Sequence, residues 1–197
     1  MPNPAESTES PLFEPERLSL KELRKLIPQL KQGGYVIYIR HATTDYNQED
    51  KRPVDLNNCK TQRNLTKQGR KQAQTIGRAF RQHHIPVGQV ISSPYCRCLE
   101  TAKLAFGQAT RSDSLYFAMG LKREGKEVKG VELRNMLMQA PAKGKNTVIV
   151  SHTANLQEAV GLWPKPEGAS YIFKIDDTGE LQAIAIVEPD LWLASLD

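Results

Sequence analysis

The stretch Tyr35-Val36-Ile37-Tyr38-Ile39-Arg40-His41 decides the reading of this chain. An unbroken run of β-branched and aromatic residues fits a strand buried on both faces. The run ends abruptly in a cation and an imidazole. In open α/β sheets, ligands bind in the crevice beyond the carboxyl ends of the strands. The stretch Asn146-Thr147-Val148-Ile149-Val150-Ser151-His152 repeats the arrangement. Two such strands can bring two imidazoles into one crevice.

Working outward, Ser19 followed by Glu22 has the capping-box pattern and predicts a short helix with Leu20, Leu23, Leu26, Ile27 and Leu30 on its apolar side. Pro28 is expected to kink or end it. Gly33-Gly34 then breaks the chain before the first strand. Residues 45–64 are polar and aperiodic and read as a long loop over the carboxyl edge of the sheet. Thr66 caps a helix reaching about Gln82, with Ala73, Ile76, Ala79 and Phe80 inward. A strand over 89–92 and a helix from Ser93-Pro94 to about Gly107 follow. Residues 108–130 are a poorly patterned stretch with a short strand expected at 114–117, and 131–139 read as helical. The strand ending at His152 leads into a short helix to about Val160. Strands over 169–175 and 181–187 flank Asp176-Asp177-Thr178-Gly179, a hairpin signal. Alternating strands and helices imply a three-layer α/β/α sandwich with a mostly parallel mixed sheet and a C-terminal antiparallel hairpin. Residues 1–17, which contain Pro2, Pro4, Pro11 and Pro15, are expected to be a flexible leader, and 18–197 a single catalytic domain.

A chain of 197 residues is long enough for one domain with a real core. No apolar run approaches the roughly 18 residues of a membrane span. The polar, acidic N-terminus lacks the features of a signal peptide, so a cytoplasmic location is expected. The net charge of +5, without a long basic run, suits an anionic small molecule or phosphoprotein as substrate. Neither nucleic acid nor a membrane is expected as a partner, and oligomeric state is not legible. The cysteines are Cys59, Cys96 and Cys98, an odd count without a CxxC pair. This argues against a disulfide framework and a zinc site, and for a reducing compartment.

Three clusters carry the chemistry: Arg40-His41-Ala42-Thr43-Thr44-Asp45-Tyr46-Asn47, Ser92-Ser93-Pro94-Tyr95-Cys96-Arg97-Cys98-Leu99-Glu100-Thr101-Ala102, and Ser151-His152. With Leu65-Thr66-x-x-Gly69-x-x-Gln72-Ala73 between the first two, they resemble the histidine phosphatase superfamily, the phosphoglycerate-mutase-like proteins, in its small bacterial phosphatase branch. Arg40, His41, Thr44, Tyr46 and Asn47 fall in register with the family's opening element. Ser92, Pro94, Arg97, Thr101 and Ala102 match the second, and His152 the third. The resemblance covers roughly residues 35–188 and implies that His41 is a nucleophile forming a phosphohistidine. It further implies Arg40, Arg97 and His152 as phosphoryl contacts, Thr44 and Asn47 as substrate-binding donors, and no metal or cofactor.

The residues themselves agree with this. Phosphoryl transfer needs positioning and charge neutralisation, an imidazole can split one difficult step into two, and guanidinium forks match phosphate oxygens. The chain departs from the family at the proton donor. Leu115-Tyr116-Phe117 stands where mutase-like members have an acid, and Thr153 where the acid-phosphatase branch has Asp. Glu167, before Gly168, is the candidate, with Glu124 and Glu132 behind it. Three rival readings stay open: a phosphoglycerate-type mutase, a non-catalytic phosphate-binding module, and a metal-dependent hydrolase using His41 and His152. His83-His84 read as cations at a helix end. Specificity is expected from residues 45–64 and 108–130.

Overall fold

The computed structural model describes residues 14–197, with the first 13 outside it. The strand that opened the analysis is β1 (Val36–Arg40), and β4 (Asn146–Ser151) is its parallel neighbour in register Arg40↔Ser151. The sheet holds β2 (Val87–Ser92), β3 (Thr110–Arg111), β5 (Ser170–Ile175) and β6 (Leu181–Val187) as well, in the order β3-β2-β4-β1-β5-β6. The β3, β2, β4 and β1 neighbours are parallel; β5 is antiparallel to β1 and to β6. This is the expected mixed sheet with a C-terminal hairpin.

Alternation along the central strands divides the core. Ile37, Ile39, Val148 and Val150 face α1 (Leu20–Leu30), α2 (Lys67–Gln82), α3 (Cys96–Phe106) and α6 (Pro189–Ala194). Val36, Tyr38 and Ile149 face α4 (Arg123–Leu137) and α5 (Thr153–Val160). Both faces are covered, which is why these strands lack a polar side. The Ser19–Glu22 capping box forms as expected. Pro28 does not end α1, because it lies on the exposed face, where water can serve the carbonyl it leaves unpaired.

Four local expectations need correction. The short strand lies at 110–111; residues 113–115 form a single 3₁₀ turn instead. The second strand begins at Val87, two residues before its expected start. The helix expected over 131–139 begins at Arg123, because its polar first half packs little and shows no periodicity. Gly130 in it permits close packing on α5: a Cβ there would lie 2.6 Å from the carbonyl oxygen of Glu158. The terminal helix α6 was unexpected; its Trp192 is fully buried against Phe80. The expected leader lies outside the described residues up to position 13. Its last residues run beside β6, with the backbone N–H of Ile186 donating to Glu16 and the Arg17 side chain paired with Glu188.

Candidate active site

Because β1 and β4 are adjacent and parallel, their carboxyl ends coincide, and the His41 backbone N–H donates to Ser151. The His41 and His152 rings lie 5.6 Å apart, so the two strand-end histidines do share one crevice. His41 is 2% exposed. Its Nδ1 sits 3.0 Å from the carbonyl oxygen of Ala42. A carbonyl only accepts, so Nδ1 carries the proton and Nε2 keeps its lone pair. Burial first, then the Arg97 guanidinium, holds the His41 pKa well below its ordinary value, with smaller contributions from Arg40 and Arg63. His152 is depressed likewise, by burial, Arg97 and His41. Its ring packs against Tyr95 and Phe117, its Nε2 meets the Ser93 hydroxyl at 2.8 Å, and the Tyr38 hydroxyl donates to its carbonyl.

Arg97 is fully buried in the first turn of α3. Its guanidinium lies 4.6 Å from the Tyr95 ring centre and 5.4 Å from that of Phe117. Its Nη1 donates to both oxygens of Asp50, at 3.0 and 3.1 Å, whereas Nε and Nη2 have no partner. Among the described residues, every buried side-chain nitrogen without a hydrogen-bond partner belongs to Arg40, Arg63 or Arg97. Buried donors are almost always satisfied. Three arginines that share the electrostatic environment of both histidines and keep donors free form a site for an anion. The N-cap residues of α3 and α5, Tyr95 and His152, make no side-chain cap of their own, and the dipole at the start of each helix favours an anion there.

Arg40 sends Nη2 to Glu167 at 3.3 Å and Nη1 to the carbonyl of Pro164. Glu167 accepts from the Thr44 hydroxyl at 2.7 Å and the Thr44 backbone N–H at 3.0 Å, and lies 3.9 Å from His41 Nδ1. The Thr44 hydroxyl is therefore already engaged. Asn47 stands exposed in a turn and bonds Asp45, apart from the arginines. Glu132 pairs with Lys129, and Glu124 lies in the first turn of α4. His83 bonds Ser195 near the end of α2, far along the chain from the site elements. Gly69 allows the start of α2 to press on this loop; a Cβ there would overlap the Thr43 carbonyl.

Arg40, Asp50, Arg63, Tyr95, Phe117 and Thr153 line a cleft of about 770 Å³ beside the buried histidines. Both loops expected to set specificity contribute to its walls. Arg63 and Asp50 are the site residues that sequence reasoning missed. Their only signal was the polar stretch Gln62-Arg63-Asn64 immediately before the family-like helix start. No group of three or more His, Cys, Asp or Glu side chains among the described residues is arranged to hold a metal ion.

The expectation of free thiols is corrected for two of the three cysteines: Cys59 and Cys96 are joined in a disulfide. Spacing alone could not show it, because the fold lays the 45–64 loop on the first residue of α3. The bond anchors the loop carrying Asp50 and Arg63 beside Arg97. Cys98 remains free and buried, and burial pushes its thiol up to about 12, so it is no nucleophile. The bridge spans a separation of 37 residues. Loop-closure entropy then predicts that the Cys59→Ser, Cys96→Ser double variant loses about 3–4 kcal/mol of stability. Urea unfolding of oxidised and dithiothreitol-treated protein checks this; coincident curves would refute it.

Residues 36–114 match the model of the histidine phosphatase superfamily (branch 1), which confirms the resemblance read from the sequence. No curated protein matches the chain. Among solved structures it is similar to the protein histidine phosphatase SixA complexed with tungstate, at 15% identity and TM-score 0.54, over 79% of this chain and 97% of that one. It is also similar to a phosphoserine phosphatase from Entamoeba histolytica in complex with 3-phosphoglyceric acid, at 17% identity and TM-score 0.59, over 80% and 98%. A mycobacterial glucosyl-3-phosphoglycerate phosphatase complexed with VO3 gives 15% identity and TM-score 0.52, over 72% and 93%. These likenesses are of fold.

Proposed function

We propose that this member of the histidine phosphatase superfamily hydrolyses a phosphomonoester or phosphohistidine through a phosphorylated His41. The observation that carries the reading is the set of unpartnered buried nitrogens on Arg40, Arg63 and Arg97 around a neutral imidazole. The phosphoryl oxygens take those free donors. His41 Nε2 attacks phosphorus, and the resulting phosphohistidine is hydrolysed by water. His152 stays beside the phosphoryl group as a hydrogen-bonding wall. The arginines supply the charge neutralisation, so the reaction proceeds without a metal or cofactor.

The mutase alternative has no support in the site, which lacks the mutase-type acid at 115–117. The substrate class is anionic and phosphorylated, reached through the open cleft. The Cys59–Cys96 bridge suits an oxidising compartment better than the cytoplasm expected from the N-terminus. The test is p-nitrophenyl phosphate hydrolysis in EDTA with acid-quench trapping of phosphoenzyme. Turnover with a trapped intermediate is expected. Vanadate binding without turnover on any ester would favour a phosphate-binding module, and loss of activity in EDTA a metal-dependent hydrolase.

A further inference from the structure

Chemistry on a poor leaving group needs an acid, and none stands at either position where the family has one. Two carboxylates lie beside the arginines. Glu167 is 6% exposed at its side chain, and its oxygens accept from Thr44 N–H, Thr44 O–H and Arg40. It also faces His41 Nδ1, the nitrogen that does not attack. That geometry makes Glu167 a positioning residue for Thr44 and Arg40.

Asp50 differs in its exposure and in what it faces. It is 21% exposed at its side chain and lines the cleft, which Glu167 does not. Its Oδ1 accepts from the Arg63 backbone N–H at 2.9 Å and from Arg97 Nη1, but Oδ2 has Arg97 Nη1 alone. Arg97 thus holds Asp50 at one edge of its guanidinium while Nε and Nη2 stay free for phosphate. A phosphoryl group on that free edge lies next to Asp50, and the cleft that Asp50 lines offers room for the leaving group.

We propose that Asp50 is the general acid of the reaction, protonating the leaving oxygen; this rests on the phosphatase reading above. In the first step the Nε2 lone pair of His41 forms the N–P bond. The P–O bond to the leaving group breaks, its electron pair stays on oxygen, and that oxygen takes the proton of the Asp50 carboxyl. In the second step the Asp50 carboxylate takes a proton from water as the water oxygen bonds to phosphorus. The N–P electron pair then returns to Nε2. The proton arrives with the phosphate, whose second ionisation is near pH 6, or from solvent through the cleft.

The test compares kcat/KM of wild type, Asp50→Asn and Glu167→Gln on p-nitrophenyl phosphate, phenyl phosphate and β-glycerol phosphate. General-acid catalysis contributes roughly 10²- to 10⁴-fold. Asp50→Asn should therefore lose on that order with β-glycerol phosphate and less than about tenfold with p-nitrophenyl phosphate, whose leaving group needs no proton. Retained p-nitrophenyl phosphate turnover also shows that the variant is folded. An equal loss on all three esters, or no loss on any, would overturn the assignment. So would a leaving-group-dependent loss in Glu167→Gln but not in Asp50→Asn. If wild type turns over none of the esters, the phosphomonoesterase reading falls and the assignment falls with it, leaving only the phosphohistidine substrate.

Discussion

The His41→Ala variant is expected to form no phosphoenzyme and to lose at least about 10⁴-fold in turnover, the order found when a covalent nucleophile is removed. The expectation follows from how the imidazole is held. Its backbone leaves β1 at the point where β4 also ends, so neighbouring strands fix it on both sides. The Ala42 carbonyl fixes the tautomer with Nε2 unprotonated. Burial and Arg97 then keep the ring neutral where a free histidine would begin to charge. The sign matters for pH dependence. A lowered pKa means that the nucleophile persists as pH falls, so the acid limb of kcat/KM, once the substrate's own ionisation is removed, should start well below 6.5. Acid-quench trapping on labelled substrate and a pH–rate profile measure both. Undiminished turnover by His41→Ala would end the covalent mechanism, and an acid limb near 6.5 would contradict the neutral, desolvated histidine.

The strands and the first two site elements were legible because their signals are local. The apolar runs 35–39 and 148–150 fit strands buried on both faces, and the strand-end Arg40-His41 gained its weight from the further elements that follow it in order. The helix over 123–130 was not legible, because Gly125, Gly130 and five charged residues erase any periodicity. It is fixed by packing on α5, a tertiary fact. Asp50 and Arg63 were hidden for a similar reason. Loop residues become site residues only when something brings the loop to the site. Here that is done by the Cys59–Cys96 bond and by the Gln62 carbonyl oxygen of its side chain accepting from the Cys96 N–H. The expected acid at Glu167 shows the converse. Its place beside Gly168 put it near the right strand end, but only coordinates reveal which nitrogen of His41 it faces.

Arg97→Lys should cost about 10²–10³ in kcat/KM although it keeps the charge, and that distinction tests what the arginine does. Removing one preorganised donor to a developing anion costs on the order of 3–4 kcal/mol. Lysine offers a point charge where Arg97 presents a planar fork packed over the Tyr95 and Phe117 rings. A shorter ammonium cannot hold Asp50 through Nη1 and leave Nε and Nη2 directed at phosphate. The same geometry predicts a stability effect that needs no turnover. Ligand that binds only the folded state stabilises by RT ln(1 + [L]/Kd), about 2.7 kcal/mol at a hundredfold excess over Kd. Vanadate should therefore raise the melting temperature of wild type and fail to raise that of Arg97→Lys at equal concentration. Equal shifts in both would mean that phosphate is held by Arg40 and Arg63 alone. The free edge of Arg97 would then need another explanation, and the placing of Asp50 beside the leaving group would lose its anchor.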